Sequence, residues 1–175
     1  MPRDEDLYAA LQDRFFGKYR GEVVNNTDPE KRGRLEVLVP NVMGPQAVWA
    51  LPCVPYAGPG EGFFALPPAG AKLWVEFEGG DTNFPVWTGC FWGSGEIDAP
   101  DAGPAVKFLR TPAATVRIDD AAGTVTVETT DGARLTLGAG EIRLEAPQVT
   151  LEANGARLVL TPAGLDVMNG AFAVN

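Results

Sequence analysis

Two pairs of carboxylates are the first candidates for chemistry. Asp119 and Asp120 are adjacent, and Glu76 and Glu78 share a face by alternation. Paired carboxylates hydrolyse glycosides, one as acid and the other as base or nucleophile. The first pair, however, falls in a turn-forming stretch, where aspartate is common because its side chain bonds the local backbone. The second falls on the solvent side of a strand pattern, so both pairs read as solvated carboxylates. Cys53 and Cys90 lie in apolar strand-like contexts, Leu-Pro-Cys-Val and Thr-Gly-Cys-Phe-Trp. They are expected to be buried free thiols, with a disulfide between them as the alternative. The chain has no histidine and a single serine, Ser94. Ser/His and Cys/His nucleophile systems are therefore excluded, and so is a histidine-ligated metal. Two cysteines without histidine do not make a standard zinc site. Gly58-Pro59-Gly60 and Gly79-Gly80-Asp81 lack the Gly-Lys-Ser/Thr of a phosphate loop. Trp49, Trp74, Trp87 and Trp92 have the surface to stack bases. With Lys+Arg 14 against Asp+Glu 23 and no basic stripe, packing in a core or interface is the expected role. No enzyme, cofactor or metal is expected.

Composition sets the frame for these residues. The 175 residues are 45% hydrophobic and 21% charged, which is the balance of a folding chain. No apolar stretch approaches the roughly 18 to 20 residues of a membrane helix. The start, Met1-Pro2-Arg3-Asp4-Glu5-Asp6, is acidic and is followed by no apolar run. It is not expected to be a signal peptide, and synthesis is expected in the cytoplasm. The net charge of −9 opposes a nucleic-acid partner, whose phosphates need Lys and Arg, and equally an anionic lipid surface.

The elements that must carry these residues change along the chain. Residues 1–17 predict a short amphipathic helix over 5–16, with Leu7, Tyr8, Leu11 and Phe15 at helical spacing and Gly17 as its stop. Residues 18–93 read as short strands without a crossover helix. Tyr19–Asn25, 34–39 and Lys72-Leu73-Trp74-Val75-Glu76-Phe77-Glu78 alternate cleanly, and 85–92 follows a Gly-Gly-Asp turn. The segment 49–54 is broken by Pro52 and is expected to be an edge strand. About five strands in this length suit a small closed barrel such as an OB-fold. Residues 94–104 read as a linker.

Residues 105–175 are a run of alternating apolar pairs: Val116/Ile118, Val125/Val127, Leu135/Leu137, Ile142/Leu144, Val149/Leu151, Leu158/Leu160, Leu165/Val167 and Phe172/Val174. Successive pairs start seven to ten residues apart, with turn formers such as Asp131-Gly132 and Asn154-Gly155 between them. Strict alternation sends each pair to one face of its strand. Arg117, Thr126, Thr136, Arg143, Thr150 and Val159 fall on the other. Each inward side chain stabilises by roughly 1.5–3 kcal/mol when fully buried, and one narrow ribbon cannot bury them. Three copies around one axis can, so the pattern itself predicts a homotrimer. A single-chain solenoid is the competing closure, and the short spacing of the turns disfavours it. The expected fold class is all-β: an OB-fold barrel followed by an intertwined triple-stranded β-helix or β-prism needle, with a short N-terminal helix.

Several ordered segments carry a resemblance. They are Gly-Lys-Tyr-Arg-Gly-Glu-Val-Val (17–24), Asp28-Pro29, Gly33-Arg34-Leu35-Glu36-Val37, Trp49-Ala50, 52–60 and Gly62-Phe63-Phe64, then the long block 67–81 and finally 85–92. Together they are similar to the phage baseplate assembly protein V / VgrG spike family of contractile injection systems. The resemblance implies a homotrimer forming the central spike at the baseplate, driven through the target envelope and touching it only transiently. It implies a baseplate hub and tube-initiator proteins as partners. At the C-terminal end it implies a PAAR-like tip protein or effector, to which Phe172, Val174 and Asn175 are assigned. Some spikes of the family bind metal through histidines near the tip, which this chain lacks. It also has no room for hub or enzyme domains, so the hub is expected to be a separate protein. The alternatives are a nucleic-acid-binding OB-fold protein and a spike with envelope-degrading activity.

Overall fold

Alternation of apolar and polar residues becomes strand almost everywhere it occurs. The computed structural model describes residues 11–168 and 171–174. The chain divides into two compact units, one ending at Glu96 and the other starting at Ile97. Most of the predicted N-terminal helix, with Leu7 and Tyr8, lies outside the described residues. Leu11 and Gln12 are helical, and the chain leaves helical geometry at Asp13, short of the predicted stop at Gly17. Tertiary contact explains this. The Phe15 amide donates to the Gly80 carbonyl at 2.8 Å, and the Phe15 ring meets Tyr19 and Phe77 edge-on.

In the first unit, β1 (Tyr19–Asn25) and β2 (Leu35–Leu38) are followed by a one-turn helix α1 (Pro40–Met43) and β3 (Ala47–Pro52). A two-residue ribbon, β4 (Ala57–Gly58) with β5 (Glu61–Gly62), precedes β6 (Lys72–Phe77) and β7 (Pro85–Cys90). Five of these close a barrel in the order β1-β2-β3-β7-β6. Inward positions at every second residue fill it: Val23, Leu35, Val37, Leu73, Val75, Phe77 and Trp87 are buried. Gly21 is required by proximity. A Cβ there would sit 2.9 Å from the Leu38 carbonyl oxygen and 3.2 Å from the side chains of Leu73 and Val75.

The edge assignment for the strand ending at Pro52 is corrected. β3 pairs antiparallel with β2 and parallel with β7 through Leu51–Val86 and Pro52–Trp87, which closes the barrel. Pro52 is tolerated because it is the strand's last residue. The next amide, Cys53, donates to the Trp87 carbonyl at 2.9 Å.

The second unit begins with a single 3-10 turn at Ala99–Asp101 within the expected linker. Five strands follow: β8 (Val106–Arg110), β9 (Ala114–Asp119), β10 (Thr124–Thr129), β11 (Arg134–Gly138) and β12 (Glu141–Glu145). Four more complete it: β13 (Val149–Ala153), β14 (Ala156–Thr161), β15 (Gly164–Val167) and β16 (Phe172–Val174). They form two antiparallel meanders, β8 to β12 and β13 to β16, in which each strand bonds only to its sequence neighbours. The Asn154-Gly155 hairpin has both residues at positive φ, 49° and 86°, the geometry that suits a two-residue link between twisted strands.

Gly21→Ala is expected to destabilise the barrel by about 1–3 kcal/mol, the usual cost of overpacking. Urea unfolding followed by circular dichroism reads this directly, and an unchanged midpoint would contradict the close approach.

Candidate interaction surfaces

The strand registers of the second unit place its apolar residues in unbroken rows. Val116 lies opposite Val127, Val127 opposite Leu135 and Leu135 opposite Leu144. Ile118, Val125, Leu137 and Ile142 form the parallel row. In the second meander Val149, Leu160 and Leu165 align, and so do Leu151, Leu158, Val167 and Phe172. Residues directly opposite in antiparallel strands share a face, so each sheet has one apolar side. In the single chain that side is open to solvent: Ile142 is 74% exposed, Leu151 56% and Phe172 59%. Val174 takes the register opposite Leu165, and Asn175 lies outside the described residues. Leu109 on β8 extends the first row opposite Val116 and was missed because Phe108-Leu109 does not alternate cleanly.

The opposite side is mainly polar and several of its charges are paired. Arg117 bonds Asp119 at 2.9 Å, Arg134 bonds Glu128 at 2.6 Å, and Arg143 reaches Glu141 at 3.4 Å. Asp101 of the 3-10 turn bonds Arg110 at 2.6 Å and Arg117 at 3.3 Å. The Arg110 hydrogen bond is the main reason its carboxyl lies below the usual range. Residues expected to form a linker are thus tied to β8 and β9.

Three of the four candidate acids have structural partners. The Asp119 carboxylate accepts the Ala122 amide at 3.0 Å, which, with Arg117, holds it below the usual carboxylate range. Asp120 pairs with Lys107. Glu76 pairs with Lys18 at 2.7 Å. Glu78 does not share its face, because β6 ends at Phe77 and Glu78 opens a 3-10 turn. The cysteines are also corrected: Cys53 and Cys90 are free and exposed, not buried. Among the described residues no group of three or more Cys, Asp or Glu is placed to hold a metal ion. No helix there is long and apolar enough to cross a membrane.

The tryptophans divide. Trp87 is buried and donates from Nε1 to the Gly33 carbonyl at 3.2 Å. Trp74 packs on Phe91 at 4.7 Å between ring centres, with the Arg20 guanidinium 4.9 Å above it. Trp49 lies 5.2 Å under Arg34, and Trp92 is exposed. An open groove of about 560 Å³ runs beside Trp87, lined by Gly33, Pro52, Val54, Phe63, Phe64 and Leu66.

One polar centre was not anticipated. Asp28 is 3% exposed at its side chain and accepts amides from Glu30, Arg32 and Arg34 at 3.0, 2.8 and 3.2 Å. It also takes a forked pair from the Arg34 guanidinium, at 3.1 Å from Nε and 2.8 Å from Nη2. The guanidinium first, then the amides, hold its carboxyl far below the ordinary range. This carboxylate organises the 26–34 loop that leads into β2. The Asp28-Pro29 dipeptide was the available signal, read only as a turn.

The first unit is a closed five-stranded barrel and the second carries one apolar and one polar side on its sheets, so the class they define is an all-β protein built around a small barrel. Residues 19–92 match the type VI secretion system/phage-baseplate injector OB domain. The barrel is thus an OB domain of the baseplate-injector kind, which supports a baseplate-associated structural role. No curated protein matches the chain.

Asp28→Asn is expected to lower the urea midpoint at pH 7 and to change its acid dependence. A depressed folded pKa stabilises fully above the unfolded value, near 3.8, and that contribution is lost as pH falls below it. The decline of stability below about pH 4 should therefore be steeper in the parent than in the variant. Equal slopes would remove Asp28 as the acid-sensitive centre.

Proposed function

We propose that this protein is the structural central spike of a contractile injection baseplate, working as a homotrimer. The observation that carries the reading is the solvent-exposed apolar side of the second unit. Its rows run through both meanders, beyond what a soluble monomer ordinarily leaves open. Three copies facing a common axis bury these rows and leave the ion-paired, threonine-rich sides outward. Such a body has short loops and closely bonded strands, which suits being pushed through an envelope. The barrels and N-terminal segment would meet the hub and tube-initiator proteins. The C-terminal end, near Phe172, would carry a PAAR-like tip protein or effector. No catalytic step is assigned: Asp119, Asp120 and Glu76 are engaged by cations or turn backbone, and Glu78 has left the face of Glu76. The acidic balance speaks against nucleic acid, and a gel shift at low salt would test that alternative.

Light scattering should give three times the chain mass of 18.6 kDa. A stable monomer would overturn the proposal. Leu144→Asp would set three carboxylates at one level of a dry interior. It is expected to abolish the trimer while the barrel still folds, and a heat-stable trimer of that variant would count against the axial packing.

A further inference from the structure

We infer that the barrels of neighbouring copies bind one another: the groove beside Trp87 on one copy receives the aromatic pair Phe16 and Phe84 of the next. This rests on the trimeric reading above and adds to it an interface made by the barrels themselves.

The exposed rings of the first unit gather at two places. Tyr56, Phe63 and Phe64 belong to the β4–β5 ribbon, where the Phe63 amide donates to the Tyr56 carbonyl at 3.1 Å. Phe63 and Phe64, with Val54 and Leu66, line the open groove of about 560 Å³. Phe16 and Phe84 instead flank the turn at Gly80. The Phe84 amide donates to the Asp81 carbonyl at 3.0 Å, and the Phe84 carbonyl accepts the Glu78 amide at 3.0 Å. Phe16 is drawn against the same turn. A Cβ on Gly80 would sit 3.2 Å from the Phe16 ring, at a φ of 77° that favours glycine in any case. The Tyr19 hydroxyl donates to the Phe16 carbonyl at 3.1 Å.

Phe16 is therefore 60% exposed and Phe84 57%, although the backbone of each is pinned. A ring held in this way has little freedom left to lose on binding. Aromatic side chains seated in a partner's pocket are the usual anchors of an interface. No residue of the 78–84 turn lines the groove, so the two surfaces are separate.

Symmetry decides what occupies the groove. In a ring of three copies each copy meets its two neighbours through two different patches. The barrel carries two apolar patches whose charged surroundings are opposite in sign. Lys31 and Arg32 line the groove against Glu61. Asp13, Glu78 and Asp81 accompany the aromatic pair against Arg14, which bonds Asp81 at 3.2 Å. Such complementarity selects and orients a partner more than it adds affinity. A contact of groove with groove would set like charges together. The occupant is thus a second copy of this chain.

The test uses the full chain with p-benzoylphenylalanine in place of Phe84, one ring for another at an exposed site. After irradiation, a denaturing gel should show covalent dimers and trimers. Peptide mass spectrometry should join position 84 to the groove residues within 52–66. Adding Phe64→Asp, at a position 76% exposed, should cut the cross-link yield about tenfold, the loss expected of an interface anchor, while the native mass stays trimeric. Cross-links confined to one chain, or leading elsewhere than the groove, from a particle of trimeric native mass would overturn the barrel contact and leave the trimer standing. An undiminished yield with Phe64→Asp would do the same. A monomeric native mass of the parent would overturn both.

Discussion

Register is the constraint on which the second unit depends. A strand's side chains alternate with period two, so a slip of one residue would send every apolar side chain of that strand to the polar side. The pairings Val116–Val127–Leu135–Leu144 and Leu151–Leu158–Val167 hold this register across both sheets. The turns maintain it: Asn154-Gly155 through positive φ, and Thr111 and Thr161 through hydroxyls that clasp the backbone. The result is two-sided sheets, one side apolar and the other mainly ion pairs and threonine. Such a sheet is incomplete by itself, and its incompleteness is the basis for reading the protein as an assembly part.

The barrel meets the same alternation problem by a different closure. There the inward residues are covered by the sheet curling on itself, with the short parallel contact between β3 and β7 as the seam. The bare Gly21 leaves room for the Leu38 carbonyl and the Leu73 and Val75 side chains of the two strands that flank β1. Asp28 supplies the polar counterpart, drawing three amides and one guanidinium into a loop that would otherwise be a loose run of charged residues. Because a carboxylate that gathers this many donors must be ionised, the loop is tied to pH in a way that an apolar core is not.

Electrostatics elsewhere is local. The net charge of −9 is spread over both units, and in the second unit the polar side is laced by short pairs such as Arg117–Asp119 and Arg134–Glu128. Exposed pairs of this kind contribute little stability. Their consequence is a surface that presents paired charges and hydroxyls outward. The anchoring of Asp101 between Arg110 and Arg117 makes the start of this unit ordered, where composition alone read as flexible.

Strand identity, the alternating faces, the barrel class and the likeness to the injector domain were all legible from residue order, because each depends on near neighbours in the chain or on short ordered motifs. Leu73, Val75 and Phe77 declare their face without any partner. Contacts between distant residues were not legible. Pro52 reads as an edge signal until β7 lies beside it, Cys53 and Cys90 read as buried although they fall at strand ends where they are exposed, and Phe15 leaves its helix for a bond to Gly80. Glu76 and Glu78 read as sharing a face, but Glu78 left its strand for a reason visible only in space. The gap between β12 and β13 was equally hidden, since Ala146-Pro147-Gln148 has the length and composition of a turn. Periodicity is a property of one segment and can be read from it. Closure, burial and pairing are properties of two segments at once, and only the fold brings those segments together.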